Sequence, residues 1–307
     1  MFSREFGRGV QPWMENLLLP GKFIGNPSLS VVVSQYMTSL RRRRVRAGEI
    51  VASARAIDET TLKAIYDSDS SVCPDIYQVV SRRAQKTGKE WAGKSIRAML
   101  FLFYILSFLC LLRSDETLRI KWEWIECDTD ATGNPRIKLS LPFRKTHQTG
   151  GIAPFWLYGN PKKPWLCPVR ALSNWMLCNG NVPTGYVFRS KQSAKTFSLR
   201  GDKMMSSASF MECFRRHLLE VGIDPRPYGT HSFRRGGCQY LAMVLRWPIR
   251  NICSWGGWAD SFDNPGTIFK YLLSLSDSPS VQREDYFNPN RSKCDPCGEC
   301  GRTCWCA

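Results

Sequence analysis

His231 and Arg234 stand three residues apart in Gly229-Thr230-His231-Ser232-Phe233-Arg234-Arg235-Gly236-Gly237. On a helix, residues at i and i+3 share one face. An imidazole placed there can move a proton while a planar guanidinium fork holds a phosphate or carboxylate. A further arginine, Arg113, closes the apolar run 99–112 and precedes Ser114-Asp115-Glu116. An arginine at the end of so oily a helix is costly without an anionic partner. Two arginines and a histidine in a strongly basic chain point to chemistry on a phosphodiester. Arg235 is the alternative phosphate ligand, and the i+3 spacing favours Arg234.

The charge agrees with that chemistry. The 307 residues include 43 Lys and Arg against 26 Asp and Glu, a net charge of +17. Such an excess attracts a polyanion, nucleic acid first and an acidic membrane surface second. Hydrophobic residues make up 43% and aromatics 12%. A core is therefore expected, in one large domain or two smaller ones, and wholesale disorder is not. The run 99–112 is shorter than the ~20 residues of a membrane span and is flanked by Arg97 and Arg113, so it reads as a buried helix. The start, Met1-Phe2-Ser3-Arg4-Glu5-Phe6, has no signal-peptide apolar region. Most of the thirteen cysteines are scattered singly, which fits reduced intracellular thiols better than a disulfide scaffold.

The elements that must position these residues follow from pattern. Residues 1–27, rich in Gly and Pro, read as an arm. A helix over 28–46 ends in Arg41-Arg42-Arg43-Arg44-Val45-Arg46. That run is a solvated helix end, a backbone-phosphate contact or a nuclear import signal. Asp58 is placed to cap a short helix. Helical patterning resumes over 74–91 and 94–112, and a short helix ends at Ile120. Strand-like pieces at 122–127, 136–142 and 151–157 are separated by turn residues and predict a small antiparallel sheet. Helices are expected again over 168–178, with Pro168 at the first position, and over 206–221, 231–245, 248–255 and 267–274. The fold class is mainly α with a small antiparallel β-sheet. The expected domains are an N-terminal arm, helix and basic linker over 1–55, a catalytic domain over 56–290, and a Cys-rich tail over 291–307.

Taken together these residues resemble the tyrosine recombinase family, DNA-cutting and rejoining enzymes related to type IB topoisomerases. The resemblance runs from about Arg55 to Asn290. Its style is closest to recombinases of eukaryotic Crypton-type mobile elements, through Phe143-Arg144-Lys145-Thr146-His147-Gln148 and Trp255-Gly256-Gly257-Trp258-Ala259. Residue by residue, Arg113 matches the first arginine, Lys145 the hairpin lysine, His231 and Arg234 the His-x-x-Arg pair, and Trp258 the His/Trp position. Tyr271, in Ile268-Phe269-Lys270-Tyr271-Leu272-Leu273, matches the nucleophile. Glu116 stands where the family keeps an acid that braces the site. The path from Trp258 to Tyr271 is longer than in bacterial members, with a turn at Asp263-Asn264-Pro265-Gly266. Tyr286 is the alternative nucleophile, but it lies among Asp and Pro residues.

The resemblance implies roles. Arg113 and Arg234 clamp the non-bridging phosphate oxygens as charge develops on them. Tyr271 attacks and forms a 3′-phosphotyrosyl bond, releasing a 5′-hydroxyl. A tyrosine ordinarily holds its proton to pH ~10, so His231 is the expected base and Lys145 the acid for the leaving oxygen. Trp258 offers an indole N–H or packing. The covalent link conserves the phosphodiester energy, so neither ATP, an obligatory metal nor another cofactor is implied. The implied partners are double-stranded DNA and further copies of the chain, in a tetramer on paired sites, with no membrane and in the nucleus. The segment before Arg55 is too short for the family's complete N-terminal clamp domain. A topoisomerase-like nicking and resealing enzyme and a non-catalytic DNA-binding protein are the rival readings.

Other residues carry weaker signals. Arg41, Arg42, Arg43, Arg44, Arg144, Arg215, Arg216, Arg226, Arg235 and Arg246 are expected phosphate contacts. His147 reads as a hairpin-tip residue, and His217 as a surface residue of a basic amphipathic helix. The tail spacing Cys294-x2-Cys297-x2-Cys300-x3-Cys304 is compatible with zinc or an iron–sulfur cluster, but a thiol-rich tail without metal is favoured.

Overall fold

The computed structural model describes residues 11–47, 54–70, 91–144, 151–178, 184–193, 196–198, 200–258, 268 and 271–272. The chain divides into two compact units, Met1–Ser53 and Ala54–Ala307. In the first, the expected arm folds in part. Strand β1 (Met14–Glu15) pairs antiparallel with β2 (Phe23–Ile24), and Trp13 stacks on Phe23 with ring centroids 5.4 Å apart. Helix α1 (Val31–Arg46) follows, starting where Ser30 Oγ accepts the Val33 N–H at 3.3 Å.

The second unit is mainly helical. Helix α2 (Glu59–Ser70) starts at Asp58, whose Oδ1 accepts the Thr61 N–H at 2.7 Å. Helix α3 (Lys94–Leu109) is buried on nearly every face. A helix apolar all round must lie inside a core, and α3 does so, with α5 (Pro168–Cys178) and α7 (Ser232–Gln239) packed against it. The short α4 (Ser114–Leu118) follows α3 directly. Helices α6 (Ser207–Glu220) and α8 (Ile249–Gly256) follow, and Ile268, Tyr271 and Leu272 are helical as well.

Between α4 and α5 lies a three-stranded antiparallel sheet, β3 (Ile125–Thr129), β4 (Pro135–Leu139) and β5 (Phe155–Tyr158), in that order. Alternation sets its faces: Phe155 and Leu157 point into the core, Trp156 and Tyr158 outward. The outer face neutralises its own charges, with Arg136 bound to Asp128 at 2.7 Å and Lys138 to Glu126 at 3.0 Å. The first strand starts later than its sequence pattern implies, because Trp122–Trp124 form a 3-10 turn and the Trp122 N–H bonds to the Gly185 carbonyl. The helix expected over 231–245 also changes character. After Gln239 it continues as one π turn, Tyr240–Val244, closed by the Leu245 N–H on the Tyr240 carbonyl at 2.9 Å. The main core surrounds α3. A smaller one, Leu111, Cys238, Leu241, Ile252, Trp258 and Ile268, has Tyr271 and Leu272 packed against it.

Candidate active site

Arg113 is delivered by the way α3 ends. The Leu112 N–H bonds back to the Ser107 carbonyl at 3.1 Å, and Leu111 adopts a left-handed backbone with φ 52°. This is a Schellman ending, in which glycine is the usual left-handed residue. A leucine there is strained by ~1 kcal/mol. Its complete burial holds it in place. The turn aims Arg113, whose side chain is 16% exposed, out of the apolar helix. Helix α8 ends in the same manner at Gly257, φ 60°, and the Trp258 N–H closes on the Cys253 carbonyl at 2.9 Å. Both endings therefore present a site residue just past a left-handed position.

Helix α7 carries the His-x-x-Arg pair. His231 is its N-cap residue, so it stands at the helix entrance, exposed, and Arg234 lies one turn in, 1% exposed. Gly236 and Gly237 let this helix seat closely. A Cβ on Gly236 would stand 1.9 Å from the Ile57 carbonyl oxygen, and one on Gly237 would stand 2.0 Å from that of Phe108. Ser114 Oγ donates to the Thr230 carbonyl at 2.6 Å, tying the residue after Arg113 to the residue before His231.

Glu116 joins the cations. Its Oε1 receives Arg113 Nη1 at 3.1 Å and its Oε2 the Arg113 backbone N–H at 2.9 Å. The same Oε2 lies 3.4 Å from Arg144 Nη2 and 3.5 Å from Arg234 Nη1. Burial alone would raise the carboxyl's pKa. Arg144, the Arg113 N–H, Arg234 and Arg113 outweigh it, and the group sits below the ordinary carboxylate value. Burial pulls the Arg234 guanidinium down to about 10, which leaves it cationic at neutral pH. None of its three nitrogens has a hydrogen-bond partner among the described residues. Buried donors of this kind are costly unless an anion takes their hydrogens. His231 is held below its ordinary value by the protein around it, then by Arg234 and Arg113.

Tyr271 meets this cluster from the same chain. The Arg234 Cζ lies 4.7 Å from the Trp258 ring centroid and 4.9 Å from that of Tyr271. The two rings lie 5.4 Å apart and 8° from parallel. Stacking and cation–π attraction hold all three side chains in one triangle. The Trp258 Nε1–H has no partner among the described residues. The arrangement offers a phosphate two guanidiniums and an indole N–H, with a phenol and an imidazole alongside.

Other expectations fare differently. Arg144 was expected at a phosphate. It is 1% exposed and donates to the Gly256 carbonyl at 2.7 Å and the Leu111 carbonyl at 3.3 Å. It is a strut tying both left-handed helix endings to Glu116, and its burial removes it from any groove contact. Arg235 is 4% exposed, also inside. Arg42, Arg43 and Arg44 are exposed on α1, and Arg215 and Arg216 on α6. Arg226 is paired with Asp224, and Arg246 has a left-handed backbone with φ 54°. Lys145, His147, Tyr286, the Arg41 side chain and the tail cysteines Cys294, Cys297, Cys300 and Cys304 lie outside the described residues. Among the described residues no group of His, Cys, Asp and Glu is placed to hold a metal, and no helix is long and apolar enough to cross a membrane.

His217, expected on the surface, is fully buried. Its Nε2 lies 2.9 Å from Asp69 Oδ1 and its Nδ1 3.1 Å from the Tyr104 hydroxyl. Arg97 bonds to Asp69 and to Glu220, each at 2.7 Å, and Trp91 Nε1 donates to Glu220 at 2.7 Å. This network ties α2, α3 and α6 together.

No protein-family model matches the chain, and no curated protein does. Among solved structures it is similar to the XerH site-specific recombinase bound to palindromic difH substrate in a post-cleavage complex, with TM-score 0.42 and 14% identity over 71% of this chain and 49% of that one. It is similar to the same recombinase on difH substrate in a pre-cleavage complex, with TM-score 0.42 and 13% identity over 73% and 51%. A third is the FLP recombinase–Holliday junction complex, with TM-score 0.39 and 12% identity over 84% and 57%. The chain spans about half the length of these recombinases.

Proposed function

We propose that this chain breaks and rejoins DNA strands through a 3′-phosphotyrosyl intermediate, as a tyrosine recombinase does. The observation that carries the reading is Tyr271 packed against the buried, under-bonded guanidinium of Arg234, on a site that also holds Arg113, Glu116, His231 and Trp258. Arg113 and Arg234 bind the non-bridging oxygens of the scissile phosphate, and Glu116 holds both guanidiniums in place. The Tyr271 oxygen attacks phosphorus, its proton passes to His231, and the bond to the 5′-oxygen breaks. Lys145 is assigned the proton that the leaving 5′-oxygen takes up. The reverse attack by a 5′-hydroxyl restores the phosphodiester and releases Tyr271.

The net charge of +17 supports duplex DNA as the partner. Strand exchange in a homotetramer on paired sites, a Crypton-type mobile-element origin and action in the nucleus complete the proposal. They rest on the sequence resemblance and on the basic run that ends α1. The test is a nicked suicide duplex, which prevents religation once the short strand diffuses away. Wild type is expected to become covalently attached to DNA and Tyr271→Phe not. Covalent trapping by Tyr271→Phe would refute the nucleophile assignment, and a wild type that never traps DNA would favour binding without cleavage. Exchange of strands between two duplexes separates a recombinase from a nicking and resealing enzyme.

A further inference from the structure

Gln239 is the last residue of α7, the helix that carries Arg234. Its side chain is half-buried, and its Nε2 donates to the backbone carbonyls of Leu272 at 3.3 Å and Tyr271 at 3.5 Å. Two carbonyl oxygens facing one side-chain amide fix which end of that amide points there, because only the NH2 end can donate to them. Helix α7 is a firm base for this tether, since Gly236 and Gly237 leave it seated against the backbones of Ile57 and Phe108. The π turn begins at the next residue, so the tether marks the end of the regular helix. The Tyr271 ring is held separately, by Trp258 and Arg234.

We propose that Gln239 is a positioning residue: it ties the backbone of the tyrosine segment to the arginine helix, so that each chain presents its own Tyr271 beside its own Arg234. The inference rests on Tyr271 being the nucleophile. Its physical content is that ring and backbone are fixed by different partners. Stacking on Trp258 allows the ring to slide in its plane, whereas a donor on the Tyr271 and Leu272 carbonyls sets the height of the side chain's root. A displacement of about 1 Å at a reacting atom costs on the order of 10²-fold in rate, so losing the tether is expected to slow the chemical step and leave DNA binding intact.

Two substitutions remove the donor. Gln239→Glu keeps the shape and turns an oxygen toward the two carbonyls, whereas Gln239→Met neither donates nor repels. The full chain is assayed on the nicked duplex for single-turnover trapping at saturating DNA, for DNA dissociation constant and for thermal midpoint. Both variants are expected to bind DNA within about twofold of wild type and to trap at least ~10-fold more slowly, Gln239→Glu the slower. If Gln239→Glu does not fold, Gln239→Met gives the answer alone. Trapping by either folded variant within twofold of wild type, or a defect erased by more DNA, overturns the proposal. The same-chain part is tested by mixing Tyr271→Phe with Arg234→Lys, where no recovery of trapping is expected and recovery overturns it. Failure of wild type to trap, or trapping by Tyr271→Phe, refutes the nucleophile reading itself, a result distinct from normal trapping by the Gln239 variants.

Discussion

Arg234 Nη1 lies 3.5 Å from Glu116 Oε2 in a setting where the arginine is 1% and the carboxylate 8% exposed. The same carboxylate meets Arg113 and Arg144, so three cations converge on one anion. That imbalance favours a second anion, the place the proposed function gives to a phosphate. Glu116→Gln keeps the shape and removes the charge that offsets the three guanidiniums. Breaking a buried ion pair on one side costs ~3–5 kcal/mol, and the partial exposure of Arg113 puts this case at the low end, ~3 kcal/mol. The urea midpoint is expected to fall accordingly. An unchanged midpoint would show that Glu116 contributes nothing net to the fold. Because the Glu116 pKa is lowered in the folded chain, its contribution is present above the ordinary value of ~4.3 and is lost as pH falls through the folded value. Wild type therefore loses stability in acid more steeply than Glu116→Gln.

The trapping rate is expected to depend on pH through His231. The surrounding protein, then Arg234 and Arg113, lower its pKa, and Asp115 opposes them. A lowered pKa keeps the imidazole neutral, and available as a base, to more acid pH. The acid limb of the rate profile should therefore lie below ~6.5, the ordinary histidine value. Asp115→Asn removes the opposing charge and should move that limb further down, while His231→Gln should abolish it and slow trapping by ~10²–10⁴-fold. A limb that stays in place in Asp115→Asn, or survives in His231→Gln, would assign it to another group.

Two arginines separate strut from phosphate contact. Arg144 donates to the Gly256 and Leu111 carbonyls, so Arg144→Met is expected to cost ~2–4 kcal/mol of stability. It should leave the slope of log affinity against log salt unchanged. Arg216 is exposed and paired with Glu212 at 2.8 Å. Arg216→Ala is expected to change stability by under ~0.5 kcal/mol and to reduce the salt slope by about one unit. A reduced slope in folded Arg144→Met would return Arg144 to the DNA surface.

Arg113, Glu116, His231, Arg234, Trp258 and Tyr271 are legible in the sequence through their order and local context, and the structure gathers them around one carboxylate and one guanidinium. The Asp58 cap and the Pro168 helix start are legible because each acts within a few residues of itself. The left-handed Leu111 is not, since nothing local distinguishes it from the leucines around it; only its burial makes the strain tolerable. Arg144 sits in a basic hairpin sequence and reads as solvent-facing, yet its acceptors are the ends of two distant helices. His217, beside Arg215 and Arg216, is drawn inside by Asp69, which is 148 residues away. Gln239 carries no chemical signal at all, because its role depends on which backbone lies opposite. What escapes the sequence in each case is a partner remote along the chain.

The Arg-Arg-Gly-Gly end of the signature invites a test of seating against conformational freedom. Gly236 lies within α7 with no unusual backbone, but a methyl group there would meet the Ile57 carbonyl oxygen at 1.9 Å and the Phe108 ring edge at 3.0 Å. Neither can yield easily, one being backbone and the other core. Gly236→Ala is therefore expected to cost ~3 kcal/mol or more and to push α7, with Arg234, off its seat. Gly222 provides the contrast: its φ is +76° and nothing lies within 4 Å of an added Cβ. Gly222→Ala meets only the left-handed penalty of ~1–2 kcal/mol and should trap DNA normally once folded. Equal losses of trapping in the two variants, read by single-turnover assay at a temperature where both are folded, would mean that the site responds to stability alone. A loss confined to Gly236→Ala ties the rate to where α7 sits.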